Sequence, residues 1–111
     1  MSSSTVTTAS DTTARGKNSL YRLTTGAGNT AVGKGSLDYL TTGASNIGLG
    51  IGAGDAITTG VDNTLIGKST GTHQNDLISG CCNVLVGAYN ATTATNANYA
   101  MALGYNLDAA A

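Results

Sequence analysis

The sequence predicts an all-β protein, a β-solenoid with 17-residue coils whose chains associate with one another. The first observation is a glycine that follows an apolar residue at intervals of 17, 17, 20 and 17, from Gly33 to Gly104. The second is an asparagine series that begins at Asn29 and keeps the same intervals. The third is composition: Thr, Gly, Ala, Asn and Ser supply 69 of 111 residues, whereas Leu, Ile and Val supply only 20. Such a chain has too few large apolar side chains for an ordinary core, so the repeat must build one by stacking and association.

Each repeat unit is predicted to begin with an asparagine and a short strand, to continue with a glycine and a second pair of apolar residues three apart, and to end with Thr-Thr-Gly. Segments such as 64–66 and 84–86 are β-branched or aliphatic and bounded by glycine, which is typical of short strands. The glycine that follows provides the bent backbone of a corner, and Asn and Thr hold the other corner through hydrogen bonds to nearby backbone. A helical alternative fails because each of the 16 glycines would cost about 1 kcal/mol relative to alanine. The predicted coil corners are Asn29, Asn46, Asn63, Asn83, Gly33, Gly50, Gly67, Gly87 and Gly104.

The repeat divides the chain into an N-terminal arm, residues 1–13, and a solenoid over residues 14–111 with about five to six coils. Residues 1–13 are rich in Ser and Thr and fall outside the register, so we expect an anchoring arm that becomes ordered on a partner surface. The first coil, over residues 15–26, is expected to lack a leading strand of its own.

The small apolar content of each coil predicts a core that is shared between associated chains. Two or three large apolar side chains per coil contribute a few kcal/mol at about 25 cal/mol per Å². Ordering costs about 1.5 kcal/mol per residue, so a single chain of this composition is marginal. The apolar stripe is therefore expected to face partner chains around an axis. The residues predicted in this core are Leu20, Leu23, Val32, Leu37, Leu40, Leu49, Ile57, Ile66, Leu77, Val86 and Leu103.

No combination of residues in the chain predicts catalysis, a cofactor or a metal site. There is no pair of acids, no base with a nucleophile and no ligand cluster. Five basic residues against six aspartates, for a net charge of −1, give no electrostatic signal for nucleic acid. The apolar stretches are too short to span a membrane, and the first residues contain no apolar signal-peptide segment.

Two local features remain outside the repeat pattern. Three additional residues interrupt the fourth coil, and the candidate recognition loop at this insertion is Thr72, His73, Gln74 and Asn75. Cys81 and Cys82 are neighbours whose Cα atoms lie about 3.8 Å apart, below the usual disulfide range. If they lie in a strand, their side chains are expected to point to opposite faces.

The segment LTTGAGNTAVGKGSLDYLTTGASNIGLGIGAG resembles the repeats of bacteriophage tail-fibre proteins and, in style, the head domains of trimeric autotransporter adhesins. The resemblance covers residues 14 to about 108 and implies a homotrimeric β-solenoid with parallel coils, of the triple-stranded β-helix or β-roll type. This sequence departs from those proteins in having no coiled-coil stalk, membrane anchor or separate receptor-binding tip.

The function expected from this resemblance is that of a non-enzymatic virion structural protein, located on the virion surface and made in the host cytoplasm without a signal peptide. Its partners would be itself and other capsid or tail proteins, contacted through residues 1–13. A capsid decoration (cement) protein, a head fibre and a proximal tail-fibre module all remain open. The alternative is a host-receptor-binding adhesin that contacts a surface glycan or an outer-membrane protein.

Overall fold

The computed structural model describes residues 9–72 and 77–110, and this part of the chain is an all-β solenoid of about five turns without a helix. The strands are β1 (Thr13–Arg15), β2 (Thr30–Val32), β3 (Ile47–Leu49), β4 (Thr64–Ile66), β5 (Val84–Val86), β6 (Ala91–Thr92), β7 (Met101–Leu103) and β8 (Asp108–Ala109).

The period of the sequence equals the spacing between residues that pair in a parallel sheet. Strands β1 to β5 and β7 pair in chain order, and Thr13 is opposite Thr30, which is opposite Ile47. The 20-residue interval occurs between β4 and β5, where Thr64 is opposite Val84. A second, two-stranded parallel sheet of β6 and β8 forms another side of the last coils. Each strand therefore pairs with the equivalent strand one coil later, as the predicted solenoid requires.

The first coil has its own leading strand, so the expectation that it lacks one is wrong. The N–H of Thr13 donates to the carbonyl oxygen of Asn29 at 2.9 Å, and β1 pairs with β2 over its full length. Upstream, the carbonyl oxygen of Ser10 accepts a hydrogen bond from the N–H of Gly28, and Ala9 packs against the core. Residues 9–13 thus lie in the first coil, while residues 1–8 of the predicted arm fall outside the described residues.

The hydrophobic core lies inside the single chain, with large and small residues alternating between its sides. In the early coils the inward strand residues are small, Ala14 and Ala31, and Leu20 and Leu37 fill the space from the opposite side. In β4 the inward residue is the larger Leu65. In the coil before it, the repeat position that Leu37 occupies in the second coil is a glycine. A Cβ on that residue, Gly54, would lie 3.3 Å from the Leu65 side chain. The exchange of large and small residues keeps the interior filled as the sequence varies.

The corner after each strand requires glycine because successive coils approach closely there. Gly33 has φ +130°, and a Cβ built on it would lie 2.6 Å from the carbonyl carbon and oxygen of Gly50 in the next coil. A side chain at this position would therefore both strain the backbone and separate the stacked coils.

Candidate interaction surface

The six-stranded sheet has an exposed, mostly apolar surface on the side that points away from the core, and we call this surface the outer face. In each strand the middle residue is buried and the two flanking residues point outward, as strand geometry requires. Val32 is 38% exposed, and in the last strand Met101 and Leu103 are 65% and 62% exposed. The residues of the outer face are Thr13, Arg15, Thr30, Val32, Ile47, Leu49, Thr64, Ile66, Val84, Val86, Met101 and Leu103.

The residues predicted for the trimer core fall into two groups in the structure. One group is fully buried inside the chain, where a partner chain cannot reach it: Leu20, Leu23, Leu37, Leu40, Ile57 and Leu77. The other group is on the outer face: Val32, Leu49, Ile66, Val86 and Leu103. The two groups lie on different faces because every residue of the second group ends a strand, and the last residue of each of these strands points outward. The trimer contact itself stays a prediction, and only the second group is available for it.

Opposite charges border the outer face along its two sides. Asp11 and Asp62 lie two residues before β1 and β4, and both are exposed. Lys17 and Lys68 lie two residues after the same strands, and Lys34 occupies the equivalent position after β2. We call these the acidic border and the basic border. Between them, the only charged residue of the outer face is Arg15 in the first coil. Sequence reasoning missed this pattern, although the periodic lysines were visible in the sequence.

The asparagine corners form a continuous ladder of buried hydrogen bonds. The side-chain amide of Asn63 donates to the carbonyl oxygen of Gly80 at 2.8 Å. Its oxygen accepts from the backbone N–H and the side-chain amide of Asn83, at 3.2 and 2.9 Å. Asn46 makes the equivalent bonds one coil earlier, and all three asparagines are fully buried. Each side chain therefore satisfies backbone groups of the next coil that would otherwise be buried without partners.

The candidate recognition loop lies mostly beyond the described part of the chain. Of its four residues, Thr72 is described, and its hydroxyl donates to the carbonyl oxygen of Ser69 at 3.0 Å. His73, Gln74 and Asn75 fall outside the described residues.

A cluster of aromatic and charged side chains lies on a different side of the first coils. The Arg22 guanidinium is 2.8 Å from the Asp38 carboxylate and lies 3.9 Å from the centre of the Tyr39 ring. Because Arg22 covers that ring, Tyr39 presents only part of its surface to a ligand. More exposed tyrosines lie toward the last coil, where Tyr99 is 78% and Tyr105 69% exposed.

Cys81 and Cys82 lie before β5 and outside the strands, so the alternation expected of a strand does not apply, and their side chains point to the same side of the coil. Their Sγ atoms are 2.6 Å apart, and both residues are half-buried free cysteines. The reason is the backbone of Cys82, whose φ of +65° breaks the alternation of an extended strand.

Within residues 9–72 and 77–110 there is no group of three or more His, Cys, Asp or Glu side chains that could hold a metal ion. In the same residues no helix has the length and apolar character needed to cross a membrane. No protein-family model matches the chain, and no curated protein or solved structure is significantly similar to it.

Proposed function

We propose that this chain is a non-enzymatic structural protein of a tailed-phage virion, a short homotrimeric projection that assembles through its outer face. The observation that carries the proposal is the outer face itself, a surface whose outward residues are mostly apolar from β2 to β7 and whose one charge, Arg15, lies in β1. Exposed apolar patches of this continuity on soluble proteins mark interaction sites. The phage assignment rests on the repeat, which resembles tail-fibre sequences.

The occupant that suits this face best is another copy of the same chain. A cyclic assembly about an axis parallel to the stack places every coil beside the same coil of its neighbours. The basic border of one chain then meets the acidic border of the next at equal height. Lys68 of one chain faces Asp62 of its neighbour, and Lys17 faces Asp11, because each pair borders a single strand. Charge complementarity of this kind fixes the register between chains.

The length of the stack favours a short surface projection. Six paired strands at a spacing of about 4.8 Å span roughly 24 Å, and the described part of the chain measures 34 × 21 × 18 Å. A capsid decoration protein, a head fibre and a proximal tail-fibre module all have functions that a projection of this size can serve.

Charge reversal at the borders tests the assembly. We expect Lys68→Asp to weaken the trimer by opposing Asp62 with a like charge, and Asp62→Lys to weaken it equally. The double variant Lys68→Asp/Asp62→Lys regains trimers, since all three junctions of the ring then pair opposite charges again. The measurement is molar mass by light scattering across a dilution series at low and high salt, because screening reduces the effect.

Thr42→Asp is the matched control, since Thr42 is exposed and lies outside the outer face and both borders. It adds one negative charge and should leave the trimer intact. Equal weakening by Thr42→Asp, or no effect of either reversal on the trimer, would contradict the proposed border contact. A wild-type protein that remains a monomer at micromolar concentration would contradict the trimer as a whole.

Deletion of residues 2–8 tests attachment to the particle. These residues lie outside the repeat, and their Ser- and Thr-rich sequence cannot supply a core. We expect the deletion to leave the thermal midpoint of the solenoid nearly unchanged and to abolish co-sedimentation with phage particles that lack the protein. The deletion stops before Ala9, which packs against the core. Retained co-sedimentation would place the mounting surface on the coils instead.

Contact with the host surface is a second candidate function, favoured by the exposed tyrosines of the last coils. Tyr99 and Tyr105 present 78% and 69% of their surfaces, and aromatic faces suit contact with sugar rings. A fluorescently labelled trimer distinguishes the two functions: a decoration protein binds emptied capsids and not host cells, whereas an adhesin does the reverse.

A further inference from the structure

Cys81 and Cys82 bring two sulfur atoms unusually close on an accessible corner of the fifth coil. The Sγ–Sγ distance of 2.6 Å exceeds the length of a disulfide bond, about 2.05 Å, by only about half an ångström. Both residues are half-buried, so a small reagent has access to the thiols. The structural core does not use this pair: the buried side chains that fill the neighbouring coils are Leu77 and Leu85.

The backbone holds the two cysteines in this arrangement from both sides. The N–H of Cys82 donates to the carbonyl oxygen of Val61 in the preceding coil, and the carbonyl oxygen of Cys81 accepts from the N–H of Tyr99 in the following coil, each at 3.1 Å. The N–H of Cys81 donates to the side-chain oxygen of Asn98 at 2.8 Å. The neighbouring coils therefore stabilise the left-handed conformation of Cys82 that turns both side chains to one side.

We propose that Cys81 and Cys82 form a redox-active dithiol that closes reversibly to a disulfide between neighbouring residues, with a small-molecule disulfide as the oxidant. In the first step the Cys81 thiolate attacks one sulfur of the oxidant, forms a mixed disulfide and releases one thiolate. The Cys82 thiolate then attacks the Cys81 sulfur, closes the intramolecular bond and releases the second thiolate. In total the protein loses two thiol protons and two electrons, and the oxidant becomes two thiols. The proposal is independent of the proposed virion function.

The surroundings of Cys82 determine the order of these steps. A hydrogen bond with Cys81, burial, and the negative charges of Cys81 and Asp62 together raise the pKa of Cys82 to about 11. In the reduced pair Cys82 is therefore a poor nucleophile at neutral pH, because only a thiolate attacks a disulfide, and the proposal assigns the first attack to Cys81. Once Cys81 is in a mixed disulfide, its hydrogen bond and charge no longer raise the pKa of Cys82. Cys82 can then carry out the second step, because it lies next to the Cys81 sulfur that it attacks.

The closed form is expected to be labile. A disulfide between adjacent residues lies outside the usual range of Cα separations, which is about 4.4–6.8 Å, and such strain makes the bond easier to reduce. Strained, exposed disulfides are the regulatory or catalytic ones, whereas structural bridges resist reduction by glutathione. The pair is thus a reversible modification site at a coil corner.

The test treats the folded full-length protein with oxidised glutathione and measures intact mass after acid quenching. We expect the wild-type protein to become lighter by the mass of two hydrogen atoms, without a lasting glutathione adduct, and to recover its original mass with reduced glutathione. Cys81→Ala and Cys82→Ala are the matched controls. With no second thiol to resolve it, the glutathione adduct on Cys82 in Cys81→Ala persists, and so does the adduct on Cys81 in Cys82→Ala.

A second measurement uses the reduced wild-type protein and a trivalent arsenical, phenylarsine oxide, which bridges two thiols only when they are close together. We expect one arsenical per chain that excess monothiol does not remove, and a removable adduct or none in either single variant. A stable glutathione adduct on the wild-type protein, disulfide-linked chains, or failure of the wild-type protein to react with either reagent would overturn the proposal.

Discussion

Ile66→Asp is expected to convert the proposed trimer of about 33 kDa into single chains of 10.9 kDa that retain their β-sheet signal. Ile66 ends β4 on the outer face, midway along the sheet, and its side chain is part-exposed in the single chain. In a trimer around this face, three carboxylates would lie near one axis without partners, and burying such charges is strongly unfavourable. The measurements are molar mass by light scattering and far-ultraviolet circular dichroism.

Leu40→Asp is the contrasting variant, because Leu40 lies inside the chain with no exposed surface. There the carboxylate is buried whether or not the chain associates, so we expect loss of the β-sheet signal together with loss of the trimer. The two substitutions thus separate an outward residue from an inward one. Trimers formed normally by Ile66→Asp would exclude the outer face as the contact, and folded Leu40→Asp chains would contradict the interior described here.

The sequence predicts the solenoid well because its register follows from repetition. Glycine at Gly33 and its equivalents, and asparagine at Asn46 and its equivalents, recur with the interval at which parallel strands pair. Each repeated residue type has one physical reason. Glycine lies at a corner that has no room for a side chain, and asparagine provides an amide that bonds to the next coil. Periodicity of this kind requires no knowledge of tertiary contacts.

The direction of side chains was harder to predict, because three-residue strands give little alternation to read. Val32 and Leu40 are both apolar and recur with the period, yet Val32 is on the outer face and Leu40 is inside. The inward strand residue varies from Ala31 to Leu65, and its size depends on what the opposite side of the coil provides. That compensation is a tertiary property, so the composition of one coil cannot reveal it.

The sequence around the two cysteines also does not reveal that their side chains point to the same side. Their direction is determined by the left-handed backbone of Cys82, a conformation that Asp62 and Ser45 share at the equivalent corner of earlier coils. Asp adopts this left-handed conformation more often than most residues, but Ser and Cys do so uncommonly and therefore do not reveal it in the sequence. Only stacking on coils with the same backbone makes it predictable.

Asn63→Ala is expected to cause a large loss of stability, although the substitution only removes atoms and adds no charge. The change leaves the carbonyl oxygen of Gly80 without its 2.8 Å hydrogen bond and removes the acceptor for both donors of Asn83, at a fully buried position. Each buried polar group left unsatisfied costs about 1–3 kcal/mol. We therefore expect the free energy of unfolding to fall by about 3–5 kcal/mol, a large fraction of the 5–15 kcal/mol typical of a domain.

The measurement for this prediction is chemical unfolding monitored by circular dichroism, at a fixed chain concentration because the proposed association would contribute to stability. Asn98→Ala is the matched control: the Asn98 side chain also accepts a backbone hydrogen bond, from Cys81 at 2.8 Å, but it lies at an exposed position. Water can replace that acceptor, so we expect a loss of at most about 1 kcal/mol. Equal losses in the two variants would show that the buried ladder contributes no more than an exposed side-chain contact. A much larger loss for Asn63→Ala makes the ladder, together with the small apolar core, a main source of the solenoid's stability.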